Sequence, residues 1–269
     1  MFARSLLILA LLAAPGCQTV QTTQAGAVGV DRQQSMLLSA NEVNQGAAKA
    51  YLQVTGEAKK NGLLNKDAAQ TERVRRIAQR LIPRTAAFRA DAPAWQWEVN
   101  VIASKDVNAW CMPGGKIAVY TGLIERLQTT DDEIAAVMGH EIAHALREHG
   151  RERASQAMAQ GIALSVLGAV AGVSGAGLDL TQLVLQYTFN LPNSREHETE
   201  ADRIGVELAA RAGYDPRAAI SLWEKMGKLG GGQPPEFAST HPSHATRIAD
   251  LRVYSAKVLP LYEAARPGG

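Results

Sequence analysis

Aromatic residues are few, 5% of the 269 residues, and charge of either sign is nearly balanced, giving a net +2. The basic residues are spread rather than clustered. Arg73, Arg75, Arg76 and Arg80 read as one solvated helix face, so nothing points to a nucleic-acid partner. Long apolar runs are also lacking. The one comparable stretch, 161–178, is interrupted by glycines and serines, which favours a helical hairpin or a membrane-facing flap over a spanning helix. No internal repeat is visible. Cysteine is scarcest of all: Cys17 and Cys111 are the only two. What remains, 46% hydrophobic and 20% charged, is an ordinary globular composition with ample core for one domain.

The first residues have the layout of an export signal. A short basic region, 1–4, precedes an apolar stretch, 6–14, that is too short to cross a bilayer, and Ala14-Pro15-Gly16-Cys17 offers a small-residue processing site. Because that site ends in cysteine it resembles a bacterial lipoprotein box, with Cys17 as the lipid-bearing first residue. Plain secretion is the alternative. Gln18, rather than Asp, follows the cysteine, which points to the outer membrane. The expected organisation is a signal peptide over 1–16, a lipid-anchored flexible tether over 17–34 that is rich in Gln, Thr, Gly and Ala, and one folded domain over 35–269. With Cys17 acylated, Cys111 has no disulfide partner and packs as a small apolar residue. A thiolate ligand is the sharper alternative for Cys111.

Helical periodicity is expected over 36–60 and 67–81, with Asn61-Gly62 breaking the first and Pro83 ending the second. The period then changes to two. Trp95, Trp97, Val99 and Val101 alternate with polar residues as in a half-buried strand, and a second strand, 116–120, follows the Pro113-Gly114-Gly115 turn. A strand just ahead of the next helix could add an extended peptide by main-chain hydrogen bonds, which nominates Gly114, Gly115, Ile117 and Val119 for binding such a peptide. The two glycines serve a plain hairpin equally well.

The chemistry is concentrated in 131–149. Acids at its start suit a helix N-terminus, and Ile134, Val137, Met138, Ile142 and Leu146 form a stripe that packs it into a core. Within it stands His140-Glu141-x-x-His144. On a helix two imidazoles four apart share one face and can grip one divalent ion, while Glu141 is carried to the same side to act on a water there. A third ligand must come from elsewhere. His149 follows His140 by nine positions instead of the ten of the longer histidine motif, Arg147 stands where a glycine would break the helix, and on a continuing helix His149 points away from His140. It is rejected as a ligand. In Ser194-Arg195-Glu196-His197-Glu198-Thr199-Glu200-Ala201-Asp202, by contrast, a helix puts Glu198 and Asp202 on one face, the first to ligate and the second to fix a ligand histidine's tautomer. Glu200 would then face elsewhere.

These residues together, with Thr240-His241-Pro242, Arg247 and the earlier Asn108-Ala-Trp-Cys-Met-Pro-Gly-Gly, resemble the HtpX and CAAX-prenyl-protease family of gluzincin peptidases, nearest its periplasmic BepA- and LoiP-like branch in the short, LoiP-like form. The resemblance runs from about 36 to 258. It implies a mostly helical α+β fold, a zincin-type metallopeptidase domain with a small β-sheet beside the His-Glu-x-x-His helix. It implies one zinc ion on His140, His144 and Glu198, with Glu141 as general base and Asp202 behind the ligands. His241 is then near the metal, able to cap it, and Arg247 is placed to stabilise an oxyanion. The implied activity is endoproteolysis of misfolded or unassembled envelope proteins at the periplasmic face of the outer membrane. A zinc-binding chaperone or assembly factor, and a structural lipoprotein with a vestigial site, remain open alternatives.

Overall fold

A computed structural model describes residues 18–170, 182, 186–187, 191–229, 236–242 and 245–266. The expected signal region with Cys17, residues 230–235, and residues 243 and 244 fall outside the described residues. So does 171–178 of the glycine-rich run, whose earlier part belongs to a helix. Among the described residues no helix is long and apolar enough to cross a membrane.

The architecture is mostly helical with one small mixed sheet. Strands β1 (Gln18–Val20) and β2 (Gln34–Met36) pair antiparallel ahead of helices α1 (Ala40–Lys60) and α2 (Ala68–Leu81). Next come β3 (Glu98–Ile102), β4 (Ala109–Met112) and β5 (Lys116–Tyr120), then α3 (Thr121–Leu127), α4 (Asp131–Leu146) and α5 (His149–Val170). The chain closes with α6 (Arg195–Arg211), α7 (Ala218–Lys228), α8 (Glu236–Thr240) and α9 (Ala245–Ala265). The starts of α1 and α2 are set by side chains: Ser39 and Glu42 form a reciprocal capping box, and Asp67 accepts from the Gln70 amide.

Helix α4 is the axis. Thr130 and Glu133 cap it reciprocally, and Glu133 is also held from α7 by Lys225 at 2.6 Å and Ser221 at 2.7 Å. Thirteen further residues of α4 are buried beside Glu133, so it is enclosed on every side rather than amphipathic. It packs on α6 at a glycine crossing. A Cβ on Gly139 would lie 2.8 Å from the Gly205 carbonyl oxygen, and one on Gly205 would lie 2.8 Å from the His140 amide nitrogen. The helix ends at Leu146, and Glu148, with φ of +52°, turns the chain sharply into α5.

Three expectations need correction. Segment 18–34 is not a free tether: Val28 and Val30 are buried, the Val28 amide donates to Glu207 at 2.9 Å, and Arg32 and Gln34 reach the start of α5. Its anchorage is mostly polar, and polar anchorage leaves no hydrophobic period to read. Trp95 and Trp97 lie before the strand, stacked on each other at 5.5 Å, and β3 starts only at Glu98. Strand β4 was not expected. The sheet order is β3-β5-β4, β3 parallel and β4 antiparallel to β5, with Gly114 and Gly115 turning β4 into β5 at φ of +81° and +86°.

The Gly139–Gly205 crossing gives a direct test. Gly205→Ala is expected to force α4 and α6 apart, costing about 1–3 kcal/mol as overpacking and weakening metal binding. A thermal midpoint and metal affinity equal to those of the unsubstituted chain would contradict the close crossing.

Candidate metal centre

Four buried side chains from three parts of the chain converge. His140 and His144 come from α4, Glu198 from the first turn of α6, and His241 from just beyond α8; one ligand atom from each lies within 4.8 Å of all the others. His144 Nε2 is 3.1 Å from His140 Nε2 and 3.3 Å from Glu198 Oε1, and His241 Nδ1 is 3.1 Å from His140 Nε2 and 2.9 Å from Glu198 Oε1. Ser194, whose hydroxyl accepts from the His197 amide, sets the start of α6, so Glu198 and Asp202 rise on one face toward α4. Cys111 is buried nearby with its thiol pushed up by burial, but it is not in this cluster.

The donors fit a divalent cation. Imidazole nitrogens with one carboxylate are a borderline-soft N/O set suited to zinc. The second observation is Glu141 Oε1, which is buried without a hydrogen-bond partner beside the cluster, 3.4 Å from His241 Nε2. An acceptor left so in a closed interior is costly unless something polar meets it. His140, His144 and Glu198 could hold the ion, and His241 could add a fourth donor.

The ionisation states follow from burial set against neighbouring charge. Burial lowers His144 well below its usual range, which keeps its ring neutral as a ligand must be. Burial also acts to lower His140, but hydrogen bonds to the Asp202 and Glu198 carboxylates outweigh it and raise the group to about 9. Glu198 is desolvated, yet His241 and Arg247 hold it well below the usual carboxylate range. Glu141 is raised, chiefly by burial, toward the basicity a proton acceptor at neutral pH needs.

Asp202 Oδ1 lies 3.0 Å from His140 Nδ1, which keeps a proton on that nitrogen and leaves Nε2, facing the cluster, as the one that gives up its proton to a cation. Arg247 is placed differently from the resemblance's expectation. Its Nε and Nη2 donate to the two Asp202 oxygens at 2.5 and 2.7 Å, Nη1 meets Glu198 Oε2 at 2.7 Å, and its guanidinium lies over the Trp223 ring at 3.7 Å. All its donor nitrogens face protein groups behind the ligands, so it positions Glu198 and Asp202 and has no free arm for an oxyanion. The substrate-binding assignment also shifts. Ile117 and Val119 are core residues of the central strand β5, Gly114 faces Asn44, and Gly115 is closed over by Trp97. β4 is the edge strand on the side of the centre, and its Cys111, with Pro113 after it, lines a cleft shared with Glu141, His144, Asn193 and His241.

Sequence reasoning missed His149 and Glu200. The premise of a continuing helix fails at Glu148, and the turn brings His149 back beside His144, with Nδ1 2.9 Å from His144 Nδ1. It is outside the four-residue cluster but touches one of its members. A glycine would have announced this break. Here a non-glycine residue in the left-handed region makes it, and leaves no signal.

Comparison with known proteins agrees with this geometry. The chain is 42% identical over 151 residues to mitochondrial metalloendopeptidase OMA1 of Arabidopsis thaliana, covering 56% of this chain and 30% of that protein. It is 33% identical over 155 residues to metalloprotease LoiP and 30% identical over 155 residues to metalloprotease YcaL, both of Escherichia coli, in each case 57% of this chain and 60% of the relative. The chain thus spans less than two thirds of the length of each of these relatives. The family model described as peptidase family M48 matches residues 68–255, a stretch that runs from the start of α2 into α9 and takes in every member of the cluster, and the chain belongs to that family.

Proposed function

We propose that the protein is a zinc-dependent endopeptidase that cleaves extended segments of misfolded or unassembled polypeptides in the bacterial cell envelope, tethered to the periplasmic face of the outer membrane through Cys17. One observation carries the substrate class. Edge strand β4 has no strand on its outer side among the described residues, and its Cys111 lines the cleft that holds Glu141 and His144. A polypeptide in extended form can add there by main-chain hydrogen bonds, a mode that reads backbone rather than a folded surface. The relatives LoiP and YcaL, named as metalloproteases of a bacterium, support the peptidase reading, and the envelope setting rests on the export-signal layout of residues 1–17.

His140, His144 and Glu198 would hold the ion. Zinc, when bound, supplies Lewis acidity: it polarises the scissile carbonyl and lowers the pKa of a water toward about 7. Glu141 Oε1 accepts the proton of the attacking water and returns it to the leaving amine nitrogen. Burial raises that carboxylate's affinity for protons, which favours the first transfer. Asp202 and Arg247 keep the ligand side chains in place. His241 Nε2, 3.4 Å from Glu141 Oε1, faces the reacting groups, and Nδ1 faces Glu198.

Glu141→Gln keeps the shape and removes the base. It is expected to lower kcat/KM on an unfolded protein substrate by about 10²–10⁴ while zinc stays bound; equal proteolysis would sink the peptidase assignment, and retained cellular function would favour a chaperone. Because His140 holds its proton up to about 9, cation binding at Nε2 displaces a proton below that value. Apparent zinc affinity, measured by chelator competition, is therefore expected to rise with pH up to about 9 and then level. A flat profile would contradict the assignment of His140. For the anchor, Cys17→Ala is expected to move the protein from the outer-membrane fraction to the soluble periplasm, and unchanged fractionation would contradict acylation there.

A further inference from the structure

We propose that His149 is a positioning residue for the metal site: backed by Glu200, it fixes the tautomer and ring plane of His144. This rests on the metallopeptidase reading and adds to it a second carboxylate-backed ligand beside the Asp202–His140 pair.

The argument is a chain of donors and acceptors. Glu200 takes Arg147 Nε on Oε2 at 2.9 Å and Arg32 Nε on Oε1 at 2.7 Å, so it serves as an acceptor. His149 Nε2 lies 2.9 Å from Glu200 Oε2 and must be the donor there. A neutral imidazole that donates from Nε2 accepts at Nδ1. His149 Nδ1 is 2.9 Å from His144 Nδ1, so the His144 proton sits on Nδ1 and its Nε2 lone pair is turned toward Glu198 and His140. Every hydrogen in the series is set by the one before it. The His149 ring is itself clamped. It is 1% exposed and stacks on His197 at 4.3 Å and 15°, while His197 Nε2 is 3.1 Å from Glu152 Oε2. The N-terminal hairpin closes this support: Arg32 donates to both Glu152 and Glu200, and Gln34 donates to Glu152 and to the Arg147 carbonyl.

The test uses the full chain and reads zinc affinity by chelator competition beside the folding of the metal-free protein. His149→Phe keeps a ring against His197 and leaves Glu200 its two arginines, but takes the acceptor from His144. It is expected to weaken zinc binding about ten- to a hundredfold. His149→Gln, whose amide can donate to Glu200 and accept from His144, is expected to restore most of that loss. A folded His149→Phe protein with unchanged zinc affinity overturns the inference, whereas failure of the unsubstituted chain to bind zinc overturns the metallopeptidase reading instead. Should His149→Phe not fold, nitrogen-15 histidine spectra of the zinc-loaded unsubstituted chain decide. The expected result is the Nε2–H tautomer at His149 with Nδ1–H at His144, and Nδ1–H at His149 overturns the inference.

Discussion

The site depends on how closely two helices can approach. At the Gly139–Gly205 crossing the backbones of α4 and α6 come within the distance a single Cβ would need, and this brings Glu198 and Asp202 up against the imidazoles that follow Gly139. A wider crossing would leave the carboxylates short of the histidines by a methyl group or more on each side. Ligand geometry is thus set by backbone contact within the core, where packing tolerates little displacement. The remaining parts of the fold hold that crossing: α7 through Lys225 and Ser221 on Glu133, and α9 through Arg247.

Close packing of this kind puts charges where water does not reach them. Glu198, Asp202, Glu141 and the three histidines of the centre are all buried, and desolvation alone would neutralise the acids. Arg247 counters this from behind, with Trp223 against its face. Removing such a partner typically costs about 3–5 kcal/mol, because the remaining charge is left buried and uncompensated. Its removal would therefore act on the fold and on ligand alignment together. Glu141, away from Arg247's donor atoms, keeps a raised affinity for protons, so one small interior holds an acid suited to ligation and another suited to proton transfer.

Much of this was legible in the sequence, and for physical reasons. The His140–His144 pair and the Glu198–Asp202 pair use the spacing that a helix imposes, and α4 and α6 are helices over those residues. Asn61-Gly62, Asp67 and Pro83 are local signals, and α1 ends and α2 begins and ends close to them, whereas α1 starts at Ala40 rather than at the expected 36, which lies in β2. What was not legible depends on tertiary contact. β4 is buried along its whole length, so it lacks the alternation that marks a half-buried strand. The hairpin of 18–36 is tied down through Thr22, Arg32 and Gln34, residue types that composition assigns to solvent. Arg147, fully buried, looks in sequence like any surface arginine, and Glu148 turns the chain without a glycine to show it.

The central claim is that His140, His144 and Glu198 hold one divalent cation between α4 and α6. Anomalous diffraction at the zinc edge, from crystals of the zinc-loaded chain, tests it most directly. The account predicts a single strong peak bounded by the Nε2 atoms of His140 and His144 and the Glu198 carboxylate. A peak elsewhere, or one that Glu198 does not touch, would contradict it.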